Sequence, residues 1–159
     1  VGEPVSSVRV RLEDEEILVA GRHVNPTYYK SEDAVARFKV RDPDGTIWHR
    51  TGDVGRFDDA GRLWLLGRYE HLVERAGRRI YPFALEQAAR SVPGVSQAGL
   101  VQVAGKVILA VEGEGELVRS MEPFHPDIDE VRVLRRIPTD ARHNAKVDYP
   151  ALKKRLAGR

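Results

Sequence analysis

Twenty residues from Gly67 to Glu86 constrain this chain more than any other stretch. Gly67 and Arg68 close an apolar strand, and Tyr69, Glu70 and His71 form a polar elbow. Val73 to Ile80 then alternates so as to pair with itself, with a reversal that needs Gly77 at its tip. Pro82 follows two residues later, a residue suited to the first turn of a helix because its missing N–H has no partner to lose there. Strand end, elbow, hairpin and helix start thus succeed one another with no room for a core between them. Such a stretch reads as a joint, with one folded unit before it and another after.

The 159 residues are enough for one ordinary domain or two small ones. Apolar residues make up 42% and charged residues 31%, a balance that supports a packed core. The net charge is only +2, and acids alternate with bases, so the basic stripe with interleaved aromatics that nucleic-acid binding needs is missing. The chain has no cysteine, which excludes disulfides and thiolate chemistry. Its longest apolar run, Val107 to Val111, is far too short to span a bilayer. No secretory leader opens the chain, and a cytoplasmic protein is the expectation.

Residues 1–66 are predicted to be short strands joined by regular turns. Val8 to Leu12 alternates apolar and charged residues. Asp14 to Glu16 interrupts, and Ile17 to Ala20 resumes as an apolar strand. Turn signals at Asn25-Pro26, Asp42 to Gly45 and Asp58 to Gly61 set off strands at Ile47 to His49 and Leu63 to Leu66. The spacing predicts a small, mostly antiparallel, barrel-like β subdomain. In the second half, Leu85, Ala88, Ala89 and Val92 give the helix after Pro82 an apolar stripe, and Pro93-Gly94 ends it. Val95 to Val103 and Lys106 to Glu112 read as a hairpin, Val131 to Leu134 as a strand, and Tyr149 to Leu156 as a closing helix. Residues 113–127 take no assignment. The expectation is an α+β unit with three strands and two helices.

Three islands carry the residues suited to chemistry. In the first, Thr51-Gly52-Asp53 ends a predicted strand. A short carboxylate beside a glycine can accept hydrogen bonds from a vicinal diol such as a ribose, although a turn-capping aspartate has the same pattern. In the second, Arg68 leaves the next strand, where its guanidinium could meet a ribose or phosphate or simply face solvent. The third is the polar stretch from Pro138 to Asp148, where Lys146 stands just before a helix as a compact cation able to meet developing negative charge. The histidines at 23, 49, 71, 125 and 143 lack metal-ligand spacing, and no metal site is expected.

The three islands, in this order and at these spacings, resemble the adenylate-forming superfamily of acyl-CoA synthetases, acyl-AMP ligases, peptide-synthetase adenylation domains and luciferases. Thr51-Gly52-Asp53 is similar to its ribose-binding motif. Gly67 through Glu86 is similar to its hinge motif, with Gly77, Arg79, Ile80, Pro82 and Glu86 in place. Lys146 falls where the family keeps a catalytic lysine. The resemblance implies a C-terminal portion of such an enzyme: residues 1–66 as the last β subdomain of the large AMP-binding domain, 67–70 as a hinge, and 71–159 as a small α+β lid. It implies that Asp53 and Arg68 hold the ribose of ATP or an acyl-AMP, and that Lys146 bridges the substrate carboxylate and the α-phosphate. Glu70 would be the hinge residue, and the hairpin at Gly77 and Arg79 would replace Lys146 at the active site after rotation. ATP and Mg2+ are the implied cofactors, bound mainly by a missing N-terminal domain, the implied partner.

Three positions depart from the family pattern. Glu70 replaces the usual Asp or Lys, Glu74 stands where lysine is frequent, and Ala145 replaces a glycine. These departures bear on the thioester-forming half-reaction more than on adenylation. The string from Arg142 to Lys146, with His49-Arg50 ahead of Thr51, is similar to the β-lactone synthetases of bacterial olefin biosynthesis, which makes His143 and Asn144 further site candidates. That resemblance implies a fatty or β-hydroxy fatty acid substrate and olefin-biosynthesis partner enzymes. An acyl-CoA synthetase, an acyl-AMP ligase, and a non-catalytic binding module of the same fold stay open.

Overall fold

A computed structural model of the chain describes residues 2–119, 121–140 and 146–158. Two compact units divide between Glu70 and His71. A single 3-10 turn, Tyr69–His71, spans the division.

The first unit is built on a hairpin of β1 (Arg9–Glu13) and β2 (Glu16–Ala20), paired antiparallel. Asp14 and Glu15 both take positive φ, 48° and 69°, which is the two-residue turn whose twist suits a hairpin. Glu16 therefore opens β2 and is itself buried, rather than belonging to an interrupting loop. The next strands are β3 (Lys39–Arg41), β4 (Ile47–Phe57) and β5 (Leu63–Arg68). The central strand β4 carries β2 along one edge and β3, then β5, along the other. Leu18, Ala20 and Trp48 form its small core, with Val40 against them.

Two expectations need correction here. The sheet is open, with β1 as an edge strand, and does not close into a barrel. In addition, Thr51-Gly52-Asp53 lies inside an eleven-residue strand, not at a strand end. A short helix, α1 (Glu32–Phe38), also falls where the sequence predicted none. It buries no residue, so no apolar stripe announces it.

The second unit has a three-stranded sheet at its centre. Strands β8 (Val95–Val103) and β9 (Lys106–Gly113) pair antiparallel, and β10 (Glu130–Leu134) joins β9 in parallel. Side chains of β9 alternate between two cores. Val107, Leu109 and Val111 pack with Ala89 of α2 (Pro82–Arg90) and with Val73 and Ile80. Ile108 and Ala110 pack with Leu152 and Leu156 of α4 (Tyr149–Ala157). Both faces are covered, which is why β9 reads as a continuous apolar run rather than an alternating one.

The hairpin of β6 (Val73–Arg75) and β7 (Arg78–Ile80) turns through Ala76 and Gly77 at φ 50° and 75°. A short α3 (Glu116–Arg119) occupies the segment without assignment, so this unit has three helices among its described residues. The buried face of α2 runs through Pro82, Glu86 and Ala89 rather than through Ala88 and Val92. A charged residue thus takes a core position, and its partners explain how.

Candidate functional site

In the first unit the antiparallel ladder sets Asp53 directly opposite Arg68. Arg68 Nη1 donates to Asp53 Oδ1 at 2.7 Å and to the Thr51 carbonyl at 3.1 Å. Asp53 Oδ2 and Arg68 Nη2 have no hydrogen-bond partner among the described residues. The pair is solvent-accessible, with the aspartate side chain 34% exposed and the arginine 50%. An ion pair so exposed adds at most about 1 kcal/mol to stability, so its effect lies in orientation.

The register that makes this pair depends on a bulge. Between Val54 and Gly55 the β4–β5 ladder shifts by one residue, so Gly55 faces Leu65 while Val54 faces Gly67. Behind Asp53 the strand is held by side chains. Thr51 Oγ1 donates to the Ile17 carbonyl at 2.7 Å and accepts from the Asp53 amide at 3.0 Å. Gly52, at φ 71°, gives its amide to Glu16 Oε1 at 3.2 Å. Glu16 also takes Arg50 Nη1 on its other oxygen, and Arg50 Nη2 meets Glu13 at 3.1 Å. A buried carboxylate therefore takes up the Gly52 amide, which has no partner in the β2–β4 register. A cleft of about 320 Å³ opens beside this strand, lined by Glu16, Arg37, Phe38, Gly52, Arg68 and Glu70 among others. Glu70 itself is exposed in the 3-10 turn.

In the second unit, Gly77 sits at the hairpin tip and Arg79 on β7, half-buried. Arg75 of the same hairpin pairs with Asp129 at 2.7 Å and donates to the Asp127 carbonyl at 3.2 Å. Lys146 is exposed and has no ion pair among the described residues. Its backbone closes a loop: the Asp140 amide donates to the Lys146 carbonyl, and the Asp148 amide donates to the Pro138 carbonyl, both at 2.9 Å. Asp148 then caps α4, accepting from the Ala151 amide at 2.9 Å. His143 and Asn144 lie outside the described residues.

Sequence reasoning missed two groups. Glu16 passed for part of a turn, and only its partners 34 and 36 residues away mark it as a support. Glu86 is 6% exposed, and its Oε1 accepts from the Leu100 amide at 2.9 Å and the Tyr149 hydroxyl at 2.7 Å. Burial pushes its carboxyl above the ordinary range, with those two hydrogen bonds and the Arg90 charge opposing. The same burial, with the Glu86 charge, pushes the Tyr149 hydroxyl up. The Tyr149 ring stacks on His71 at 3.8 Å between centroids and 30° between planes.

Among the described residues no group of three or more His, Cys, Asp or Glu side chains could hold a metal ion. None of their helices is long and apolar enough to cross a membrane.

Comparison with known proteins gives consistent neighbours. The chain is 36% identical over 166 residues to an olefin β-lactone synthetase of Xanthomonas campestris, covering 89% of this chain and 30% of that protein. It is 32% identical over 135 residues to the acyl-CoA ligase SID4 of Ajellomyces capsulatus, covering 82% of this chain and 22% of that protein. The chain thus spans less than a third of the length of these relatives. Its fold matches an amide bond synthetase from Marinactinospora thermotolerans with a TM-score of 0.75 at 23% identity, covering 98% of this chain and 36% of that one. It also matches an O-succinylbenzoate coenzyme A synthetase from Bacillus subtilis, solved with ATP and a magnesium ion, with a TM-score of 0.73 at 24% identity, covering 98% and 35%. No protein-family model matches the chain.

Proposed function

Because the chain belongs to the adenylate-forming family that includes acyl-CoA ligases and olefin β-lactone synthetases, we propose that it supplies the ribose-binding strand, the hinge and the catalytic lysine of an ATP-dependent enzyme that activates a carboxylic acid as its adenylate. The observation that carries this reading is the cross-strand pair of Asp53 and Arg68. Arg68 fixes one carboxylate oxygen and leaves the other to accept a ribose hydroxyl. Its own unused Nη2 can donate to the same diol or to a nearby phosphate oxygen.

In the first step a carboxylate oxygen of the acid attacks the α-phosphorus of ATP, and the bond to pyrophosphate breaks. Two anions must approach each other, and the Lys146 ammonium offsets that repulsion by meeting both. Its exposure, and the lack of an ion pair among the described residues, leave it available for this role. Glu70 serves as the pivot of the lid, and the hairpin bearing Gly77 and Arg79 takes the place of Lys146 afterwards. Mg2+ bound with ATP would screen phosphate charge. It would be held chiefly by the phosphate oxygens and water, and no step assigned to this chain runs through it.

The substrate is a β-hydroxy fatty acid, whose own hydroxyl oxygen attacks the activated acyl carbon, closes a β-lactone and expels AMP. Proximity replaces a second substrate in that step. The similarity to olefin β-lactone synthetases supports this choice. Similarity to an acyl-CoA ligase favours a second reading, in which the thiol of coenzyme A takes the acyl group. Incubation of the full-length protein with a racemic β-hydroxy fatty acid and ATP separates the two. Lactone and AMP formed without coenzyme A support the first; strict dependence on coenzyme A overturns it. In the same assay Lys146→Ala should lower acyl-adenylate formation by about 10²–10³. A loss within severalfold would instead mean that the lysine is not part of the chemistry.

A further inference from the structure

The adenylation chemistry makes no use of the most deeply buried acid in the second unit, Glu86, or of the two aromatic groups that lead away from it. One carboxylate oxygen ties together the Leu100 amide on β8 and the Tyr149 hydroxyl on α4. Tyr149 carries this anchor outward, because its ring lies flat on the imidazole of His71, the first residue after the division between units. Tyr149 is also the first residue of α4, three positions beyond Lys146. The intervening residues have little slack. Val147 bridges Thr139, the Asp148 amide is bound by the Pro138 carbonyl, and Asp148 caps the helix that Tyr149 begins. A shift of Tyr149 therefore moves the base of the lysine loop.

We propose that Tyr149, anchored by Glu86 and braced against His71, is a positioning residue for Lys146. It ties Lys146 and the described base of its loop to the first residue past the hinge. The proposal rests on the reading of Lys146 as the adenylation lysine, although the brace itself stands on geometry alone. Ring stacking and a hydrogen bond to a buried carboxyl both favour a single placement of Tyr149, so the brace can hold the base of the loop.

Three variants separate its parts. Tyr149→Phe removes the hydroxyl and keeps the ring on His71; His71→Ala does the reverse. Glu86→Gln keeps an oxygen that can accept both hydrogen bonds. Two readouts apply, one of them independent of activity. Amide hydrogen exchange on the 159-residue chain reports the loop base directly. Tyr149→Phe and His71→Ala should each speed exchange at Asp140 and Asp148 by about tenfold or more, with Leu109 and Val111 in the sheet unchanged. Carboxylate-dependent ATP–pyrophosphate exchange by the full-length protein reports the chemistry. The same two variants should lower kcat by about 10- to 100-fold with KM for ATP within about twofold, since a misplaced group costs rate rather than binding. Glu86→Gln should retain kcat within about threefold.

Unchanged exchange at Asp140 and Asp148 in Tyr149→Phe overturns the brace, as does an unchanged kcat. If Tyr149→Phe does not fold, His71→Ala alone decides, because its partly exposed ring can be removed without opening the core. Failure of the underlying reading looks different: Lys146→Ala would leave adenylation intact while the amides at 140 and 148 still respond to Tyr149→Phe.

Discussion

Gly52 and Gly55 sit three residues apart on β4, and the structure gives them opposite reasons to be glycine. At Gly52, φ is 71°, and a Cβ would meet nothing closer than Arg68 Nη2 at 3.6 Å, an ordinary contact. The cost of Gly52→Ala is thus the left-handed backbone alone, about 1–2 kcal/mol. Gly55 is not in that region, but a Cβ there would lie 2.8 Å from the Trp64 carbonyl and 2.7 Å from Ile17 Cδ1. The isoleucine tip can swing aside; the carbonyl belongs to the paired strand and cannot. Gly55→Ala should cost about 1–3 kcal/mol through overlap. Asparagine discriminates between the two causes, since it tolerates positive φ and is larger than alanine. Gly52→Asn should therefore be more stable than Gly52→Ala, and Gly55→Asn less stable than Gly55→Ala. Urea denaturation followed by tryptophan fluorescence measures this unit selectively, because the only two tryptophans, Trp48 and Trp64, both lie in it. With a slope of about 1–3 kcal/mol per molar urea, the alanine variants should move the midpoint by about 0.5–2 M. If Gly52→Asn is no better than Gly52→Ala, or Gly55→Ala leaves the midpoint in place, the account of this strand is wrong.

Asp53→Ala should change the stability derived from the same midpoint by less than about 1 kcal/mol, because its partner is half exposed. In the full-length protein it should raise KM for ATP by about 10- to 100-fold, the loss of a charge-assisted hydrogen bond. Glu86 gives a pH dependence of definite sign. Its native carboxyl keeps its proton to higher pH than the ordinary 4.5 of the unfolded chain. Its contribution is fully present below pH 4.5 and is lost as pH rises toward the native value, where the folded state binds more protons. Glu86→Gln should flatten that fall in stability, read as urea midpoints by circular dichroism from pH 4.5 to neutral. Leu152→Ala, at a fully buried site facing β8 and β9, should cost the second unit about 2–5 kcal/mol, seen in the same melts.

Local signals were legible where a residue's own backbone preference decides the structure. The Gly77 hairpin, the proline at the start of α2 and the Asp58 to Gly61 turn are all of this kind. Signals failed where a distant partner decides. Helix α1 follows Ser31, whose side chain makes no capping bond, and buries nothing, so neither stripe nor cap marks it. Glu86 falls on the buried face of α2 because Leu100 and Tyr149 satisfy it from 14 and 63 residues away. A helical pattern scored on apolarity alone has no way to admit it. Glu16 is the same case on the other unit, since an acid beside a turn ordinarily means solvent.

The pairing of Asp53 with Arg68 falls between these extremes, and it shows which part of the site pattern alone could not supply. A turn midway between two strands predicts that their ends will meet, and the sequence has that turn. It does not predict in which register they meet. In a regular ladder continued from Phe57 and Leu63, Asp53 would face Gly67, and Arg68 would stand opposite Gly52. The one-residue shift between Val54 and Gly55 moves the arginine into place. That shift is possible because β5 can crowd against a residue with no Cβ, which makes Gly55 part of the site although it touches none of the groups that would bind ligand. Larger residues at Gly55 should therefore do more than destabilise the sheet. To the extent that they remove the bulge, they should uncouple Arg68 from Asp53 and weaken nucleotide binding in the full-length protein, even in variants that remain folded.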